Sequence, residues 1–299
     1  MSETAKKQSF LIGYLFAFGA TAIWSGNFII ARGLHDNIPP VSLAFYRWLV
    51  AVIVFLPFAL KSLIREWGII QEHPTYFSIT ALLGVTTFNT LIYIAGHTTT
   101  AMNLSLIAIT FPVFIVLLSR ILYKDPITAQ KGIGITLVLI GVVTLITKGS
   151  LSALLNISFN RGDVWMLLAS IIFAVYSLFL RHKPAAISVM ALQLSIFILG
   201  LLFLFPFFLW EQTTIQHAIL TRTTIPAILY IGIFASLGAF VFWTKAVVIL
   251  GPAKAGMVYY TLPLFSGFLA YVFLLESINI LYFFSMLLIF MGIVTTNRG

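Results

Sequence analysis

Thr110-Phe111-Pro112, followed by Asp125 and Gly141, decides the fold, because these landmarks return 151 residues later as Thr261-Leu262-Pro263, Glu276 and Gly292. In each copy they bracket two apolar segments with a turn at the acidic residue. About 20 apolar residues suffice for a helix to cross the ~30 Å hydrocarbon layer of a bilayer, and each segment is that long. The stretch is one copy of a duplicated helical hairpin.

The remainder of the chain has the same character. Of 299 residues, 61% are hydrophobic and 8% charged, too little charge to coat a water-soluble domain. Hydropathy breaks predict helices near 11–31, 41–60, 76–96, 101–122, 129–148, 162–181, 187–209, 225–247, 254–275 and 279–296. The expectation is an all-α integral membrane protein with ten transmembrane helices. Residues 61–75, with Lys61, Arg65, Glu66, Glu72 and Pro74, read as a polar loop on the inner face.

A net charge of +9 could suggest nucleic acid, but the basic residues are spread over membrane-flanking loops. With the N-terminus inside, Lys6, Lys7, Lys61, Arg65, Arg120, Lys124, Lys131, Arg181, Lys183, Lys245, Lys254 and Arg298 fall at the inner face, against Arg32, Lys148, Arg161 and Arg222 outside. Twelve against four is a positive-inside bias that puts both termini in the cytoplasm. Residues 1–9 and the apolar run after them resemble a signal peptide. Trp24-Ser25-Gly26-Asn27 offers no small-residue cleavage site, so an uncleaved anchor is expected. The lack of cysteine removes disulfides and thiolate metal sites.

The duplication extends upstream. Gly13, Trp24, Arg32 and Pro57-Phe58 match Gly162, Phe173, Arg181 and Pro206-Phe207 at a spacing of 149, and Ala95 matches Ala246 at 151. A two-residue difference therefore sits before helix 3 or within it. The halves are 1–148 and 162–299, joined by a linker at 149–161 with Gly149, Ser150, Ser152, Asn156 and Asn160 as turn formers. Five crossings per half is an odd number, so the second half enters the membrane upside down. Two inverted five-helix repeats favour alternating access, since each half can adopt the other's conformation.

Polar residues inside the spans are the candidates for chemistry. Pro112 and Pro263 cannot donate a backbone hydrogen bond and should kink helices 4 and 9, as static kinks or as hinges; Thr110 would re-satisfy a freed carbonyl. Asn103 shares a helix face with Thr110, and Lys254 with Thr261, so a water-filled path or an end-of-helix lysine reaching the interface would explain the pattern. Trp24 with Asn27, and Asn89 with Tyr93, also share faces. These asparagines either contact a ligand or bond neighbouring helices. Tyr176 occupies the position of Asn27 in the second half.

Arg47 lies about 10 Å into helix 2 at ~1.5 Å per residue, where it either faces a cavity and binds an anion or snorkels outward. Gln193 enters helix 7 from the opposite side as a neutral candidate. Trp243 and Tyr259 join the aromatic residues grouped with polar ones, a setting for apolar or cationic ligands. The eight acidic residues avoid the apolar centres, which argues against an intramembrane proton relay. Asp125 and Glu276 are expected to tie hairpin ends as structural charges.

Trp24-Ser25-Gly26-Asn27-Phe28, Arg47 and the Pro-to-acid-to-Gly pattern in each half resemble the EamA-type drug/metabolite transporter superfamily over almost the whole length. The resemblance implies helices 1–4 and 6–9 around a central cavity, with helices 5 and 10 in support. It also implies export, sometimes import, of amino acids or other small metabolites. Family members often carry Glu at the hairpin turn, which Glu276 matches and Asp125 does not.

The expected function is a secondary transporter, an exporter of small organic metabolites, in a bacterial cytoplasmic (inner) membrane. Its partners would be a small-molecule substrate and the lipid bilayer, with no nucleic acid, no cofactor and no metal, and a monomer is expected. Import or exchange of a quaternary ammonium compound such as choline is the alternative. A membrane-embedded enzyme has little support, since His35, His73, His97, His182 and His217 sit in loops or at helix ends without a catalytic grouping.

Overall fold

A computed structural model describes residues 3–27, 30, 34, 37–99, 101–147, 149–150, 152, 155, 160–214, 218–265, 268 and 280–298. Arg32, Lys148, Glu276 and most of the linker lie outside the described residues. The described part is helical. It comprises α1 (Glu3–Trp24), α2 (Pro40–Arg65), α3 (Pro74–Thr98), α4 in two pieces (Ala101–Ala108 and Phe111–Tyr123) and α5 (Ala129–Ile146). The second half gives α6 (Arg161–Leu180), α7 (Val189–Thr214), α8 (Thr224–Leu250), α9 (Pro252–Tyr259) and α10 (Ile280–Arg298). Among the described residues six helices are long and apolar enough to cross a membrane, and shorter apolar helices cover Gln8–Trp24, Ala129–Leu145 and Ile280–Thr296.

Helix packing pairs the halves. α1 lies on α8 and α3 on α6; α2 lies on α7, α4 on α9 and α5 on α10. Exchanging the two halves maps this set of pairs onto itself, and the close contacts repeat with it. A side chain at Gly162 would strike Thr98 and the Ala95 carbonyl, and one at Gly13 would strike Ile249 and Leu250, the counterparts of Thr98 and Thr99. Gly134 meets the Gly292 carbonyl as Gly141 meets that of Ser285. Missing side chains let backbones approach closely, the usual basis of helix association in lipid.

The broken helix 4 recurs too. Turns at Ile109–Thr110 and Tyr260–Thr261 interrupt α4 and the α9 segment immediately before Phe111-Pro112 and Leu262-Pro263. In both, the threonine hydroxyl donates three residues back, to Ile107 at 2.6 Å and to Val258 at 2.7 Å. The carbonyl it satisfies is thus one residue before the Ala108 carbonyl that Pro112 crowds.

Two features depart from the sequence expectation. Residues 61–75 are mostly helical rather than a loop: α2 runs on to Arg65 and a short helix covers Trp67–Glu72. Nothing between Lys61 and Arg65 breaks a helix, so the polar stretch simply continues α2. Secondly, α3 and α8 each contain a π-helical segment, Leu82–Thr87 and Ile231–Gly238. Their first residues are 149 apart and their last 151 apart. The two-residue difference between the halves is a difference in π-helix length.

Carboxylates fasten α2 to α7 at both ends. Buried Glu211 of α7 accepts from the backbone N–H groups of Val41 (3.1 Å) and Ser42 (2.6 Å) at the start of α2. Glu66, just past the end of α2, accepts from the Ser188 N–H (2.7 Å) just before α7. Negative charge at a helix N-terminus is stabilised by the unpaired N–H groups and the helix dipole.

Candidate functional site

Arg47 of α2 is fully buried. Its Nε donates to Ser236 Oγ (2.6 Å), and its Nη1 to Asn89 Oδ1 (2.7 Å), Tyr93 Oη (2.6 Å) and, at 3.4 Å, Asn27 Oδ1. The guanidinium carbon lies 5.3 Å from the Trp48 ring centroid and 5.6 Å from that of Tyr93. Among the described residues no carboxylate pairs with it, and Nη2 has no hydrogen-bond partner. The side chain does not snorkel: neutral groups from α3, α8 and Asn27, just past the end of α1, hold it inside the bundle.

Both π segments serve this cluster. Widening the helical turn frees carbonyls that ordinary α-helix would consume. The Gly84 carbonyl in α3 receives Asn89 Nδ2 at 3.3 Å, orienting the amide oxygen that meets Arg47. In α8, Ser236 donates to the Ile231 carbonyl five residues back (2.8 Å), and the Ala235 carbonyl receives Trp24 Nε1 (2.9 Å). Sequence reasoning missed Ser236; the shift in spacing from 149 to 151 was its only signal.

Beside the polar cluster stands an aromatic group. Phe173 of α6 is central, with ring centroids 4.2 Å from Phe88, 5.1 Å from Phe111, and 5.5 Å from both Trp24 and Trp243. Phe111 and Tyr259, at the breaks of α4 and α9, meet edge to face at 4.4 Å. Phe173 is the counterpart of Trp24 in the repeat, and as a phenylalanine it carries no polar signal in the sequence. Among the aromatic and polar side chains lies a void of about 10 Å³, lined by Trp24, Asn27, Phe88, Asn89, Ile92, Phe173 and Tyr259. That is room for about one water, because the aromatic rings fill the centre.

The selected residues thus divide. Asn27, Arg47, Asn89 and Tyr93 come together as one hydrogen-bonded cluster, and Trp24, Trp243 and Tyr259 border it. Tyr176 and Gln193 are buried on the second-half side, where Gln193 Nε2 donates to Thr244 Oγ1 (3.0 Å). The Tyr176 hydroxyl and Gln193 Oε1 find no partner among the described residues. Thr244 is the counterpart of Tyr93, and Phe240 that of Asn89, so the two halves present one polar and one largely aromatic wall.

Asn103 lies elsewhere. Its amide donates to both Asp163 oxygens (3.1 and 3.2 Å) at the start of α6, where Thr99 also donates to Asp163 and Asn160 completes a capping box. Asp125 accepts from Ser119 (2.5 Å) and from Arg181 at the end of α6 (3.0 Å). The Ser119 hydroxyl first, and Arg181 after it, hold the Asp125 carboxyl below its ordinary 3.8, against the opposing effect of partial burial.

A multi-pass helical membrane protein with two matched halves around a buried polar and aromatic centre is the class that fold and site define. The sequence model of the EamA-like transporter family matches residues 11–147 and again 160–298, and the chain belongs to that family. An uncharacterized transporter of Archaeoglobus fulgidus is 30% identical over 85% of this chain and 86% of its own length. The uncharacterized transporter YyaM of Bacillus subtilis is 20% identical over 95% and 93%. A solved crystal structure with 19% identity superposes with a TM-score of 0.73, covering 96% of each chain, which shows the fold.

Proposed function

We propose that the protein is a secondary transporter that exports small organic metabolites, amino acids foremost, across a cytoplasmic membrane by alternating access. In this reading ten helices cross as two inverted five-helix repeats, both termini are cytoplasmic, and the monomer is the working unit. Pro112 and Pro263 act as hinges, and Asp125 and Glu276 tie hairpin ends. The exchange of helix contacts between the halves supports the two-state geometry, and the matched breaks at the two Thr-x-Pro sequences give it places to bend.

One observation carries the substrate class: among the described residues, buried Arg47 has no carboxylate partner and its Nη2 donor is unused. An unpaired buried charge is strongly unfavourable; the carboxylate of a passing solute would neutralise it through a charge-assisted hydrogen bond. Trp24, Trp243, Tyr259 and Tyr176 would then face the solute's apolar body. A quaternary ammonium solute would use the same rings, but the Arg47 charge would repel it.

Flux into proteoliposomes, measured with a panel of amino acids and choline, with and without a pH gradient, tests the reading. Flux of carboxylate-bearing solutes but not of their decarboxylated amines is expected. Choline flux without amino-acid flux would overturn the assignment, and turnover of a substrate with no flux at all would point to an enzyme.

A further inference from the structure

Far from Arg47, where the α4–α5 turn meets the α8–α9 joint, the structure holds a second and much larger cavity of about 390 Å³. That is the size of a small-molecule site. Ser119, Asp125, Lys131, Arg181, Lys254 and Met257 are among the residues lining it. Three cations thus face one carboxylate, and that carboxylate is already engaged by Ser119 and Arg181. Among the described residues Lys131 donates to the Pro126 carbonyl (2.9 Å) and acts on Asp125 through space without an ion pair, and the Lys254 ammonium rests over the Phe10 ring at 5.1 Å. Neither lysine has an ion pair among the described residues.

The pseudosymmetry sharpens this imbalance. Lys254 is the counterpart of Asn103, whose amide is tied to Asp163; the counterpart of Asp163 is Tyr14. At one end of the bundle the chain supplies a carboxylate to this position. At the other it supplies a cation and a tyrosine in place of the acid, beside a cavity whose carboxylate, Asp125, is already bonded to Ser119 and Arg181. Apolar walls of low dielectric concentrate the field of such a cluster on a small anion.

The cavity is also in line with the aromatic centre. Met257 lies next to Gly256, which packs on Ile115 and Pro112 (3.1 and 3.5 Å from its would-be Cβ), and the Phe111–Tyr259 contact lies immediately beyond. We propose that this cavity is a docking site for small organic carboxylates, separate from Arg47 and occupied before a solute passes the Phe111–Tyr259 pair. The order of occupation rests on the transport reading; the site itself does not. The same positive cluster could accept the phosphate of an anionic lipid headgroup, and the test separates the two sources.

Benzoate serves as the probe, with benzamide as its neutral control, on full-length protein in nanodiscs followed by saturation-transfer NMR. In neutral phosphatidylcholine, benzoate should bind at least about tenfold more tightly than benzamide. Paired Lys131→Gln and Lys254→Gln changes should weaken it by about tenfold, and paired Lys→Arg changes should retain it. Arg47→Met, which removes any carboxylate binding at the central cluster, should leave the lysine-dependent part of the binding in place.

Loss of binding with Arg47→Met but not with the lysine changes would put the anion in the central cluster alone and overturn the proposal. So would displacement of benzoate when phosphatidylglycerol is included, which would assign the cavity to a headgroup. A protein that binds benzoate here yet moves no solute in proteoliposomes would refute the transport reading and leave the docking site standing.

Discussion

Arg47 Nη1 donates to Asn89 Oδ1 at 2.7 Å, and the same amide is held from behind by the Gly84 carbonyl of a π-helical turn. A permanent cation is thereby fixed inside the bundle by neutral acceptors, with no acid to share it among the described residues. Function and stability should separate here. Removing a buried charge that has no acid partner relieves its desolvation, which offsets the ~1–3 kcal/mol that leaving a buried acceptor without its donor costs. Arg47→Leu strands the Ser236, Asn89 and Tyr93 oxygens, so it is expected to shift the thermal midpoint in detergent only modestly while abolishing flux of carboxylate solutes. Arg47→Lys keeps the charge but loses the planar fork, and should transport poorly. Full flux in Arg47→Leu would refute the anion role.

In the proposed alternating-access reading, the Asp163 cluster latches the end of the bundle opposite the large cavity. Asn103 ties α4 to it, whereas the capping box with Asn160 belongs to α6 alone. Asn103→Ala should therefore loosen the closure and spare the cap. A lost hydrogen bond of ~1 kcal/mol would raise the open population about fivefold. The chain has no native cysteine, so Ile92→Cys, at the wall of the central void, can report by its reaction with a membrane-impermeant thiol reagent supplied from the side of the Asp163 end. An unchanged rate would remove this cluster as a latch.

α5 and α10 are bolted by glycines. A Cβ at Gly134 would sit 2.6 Å from the Gly292 carbonyl, whereas one at Gly132 meets nothing within 4 Å. Gly134→Ala should lower stability by ~1–3 kcal/mol through overpacking. Gly132→Ala should be neutral or raise it by up to ~1 kcal/mol through helix propensity. Thermal unfolding of the two variants side by side checks this, and equal midpoints would contradict the packing.

Much of the fold was legible because lipid imposes long apolar segments and duplication repeats their landmarks. Gly13, Pro112, Gly141 and their partners could be read from spacing alone. The π segments could not: a wider turn keeps the same apolar composition, and only the move from 149 to 151 marked it. Arg47, Asn27, Asn89 and Tyr93 stood out as polar residues in hydrocarbon, but their convergence depends on α1, α2, α3 and α8 meeting, which no local pattern encodes. Asn103 looked equivalent to them from its helix face. Its actual partner, Asp163, lies 60 residues away on α6. Phe173, an ordinary phenylalanine by composition, packs against Trp24, Phe88, Phe111 and Trp243 at the centre, a role that no polar signal marks.

Asp125 offers a pH test of the bracket between α4 and α6. Its carboxyl is held below the ordinary 3.8, by Ser119 first and Arg181 after it. A depressed folded-state value means the ionised form stabilises the fold. That contribution is fully present above the unfolded value and lost as the pH falls through the folded one. Both ion-pair side chains are partly exposed, 45% for Arg181 and 38% for Asp125, so solvent screens the pair and the effect is modest. Asp125→Asn should lower the thermal midpoint near neutral pH, and the gap to the parent protein should begin to close only below about pH 4. A gap that is constant across this range would show that Asp125 contributes through shape and not through its charge.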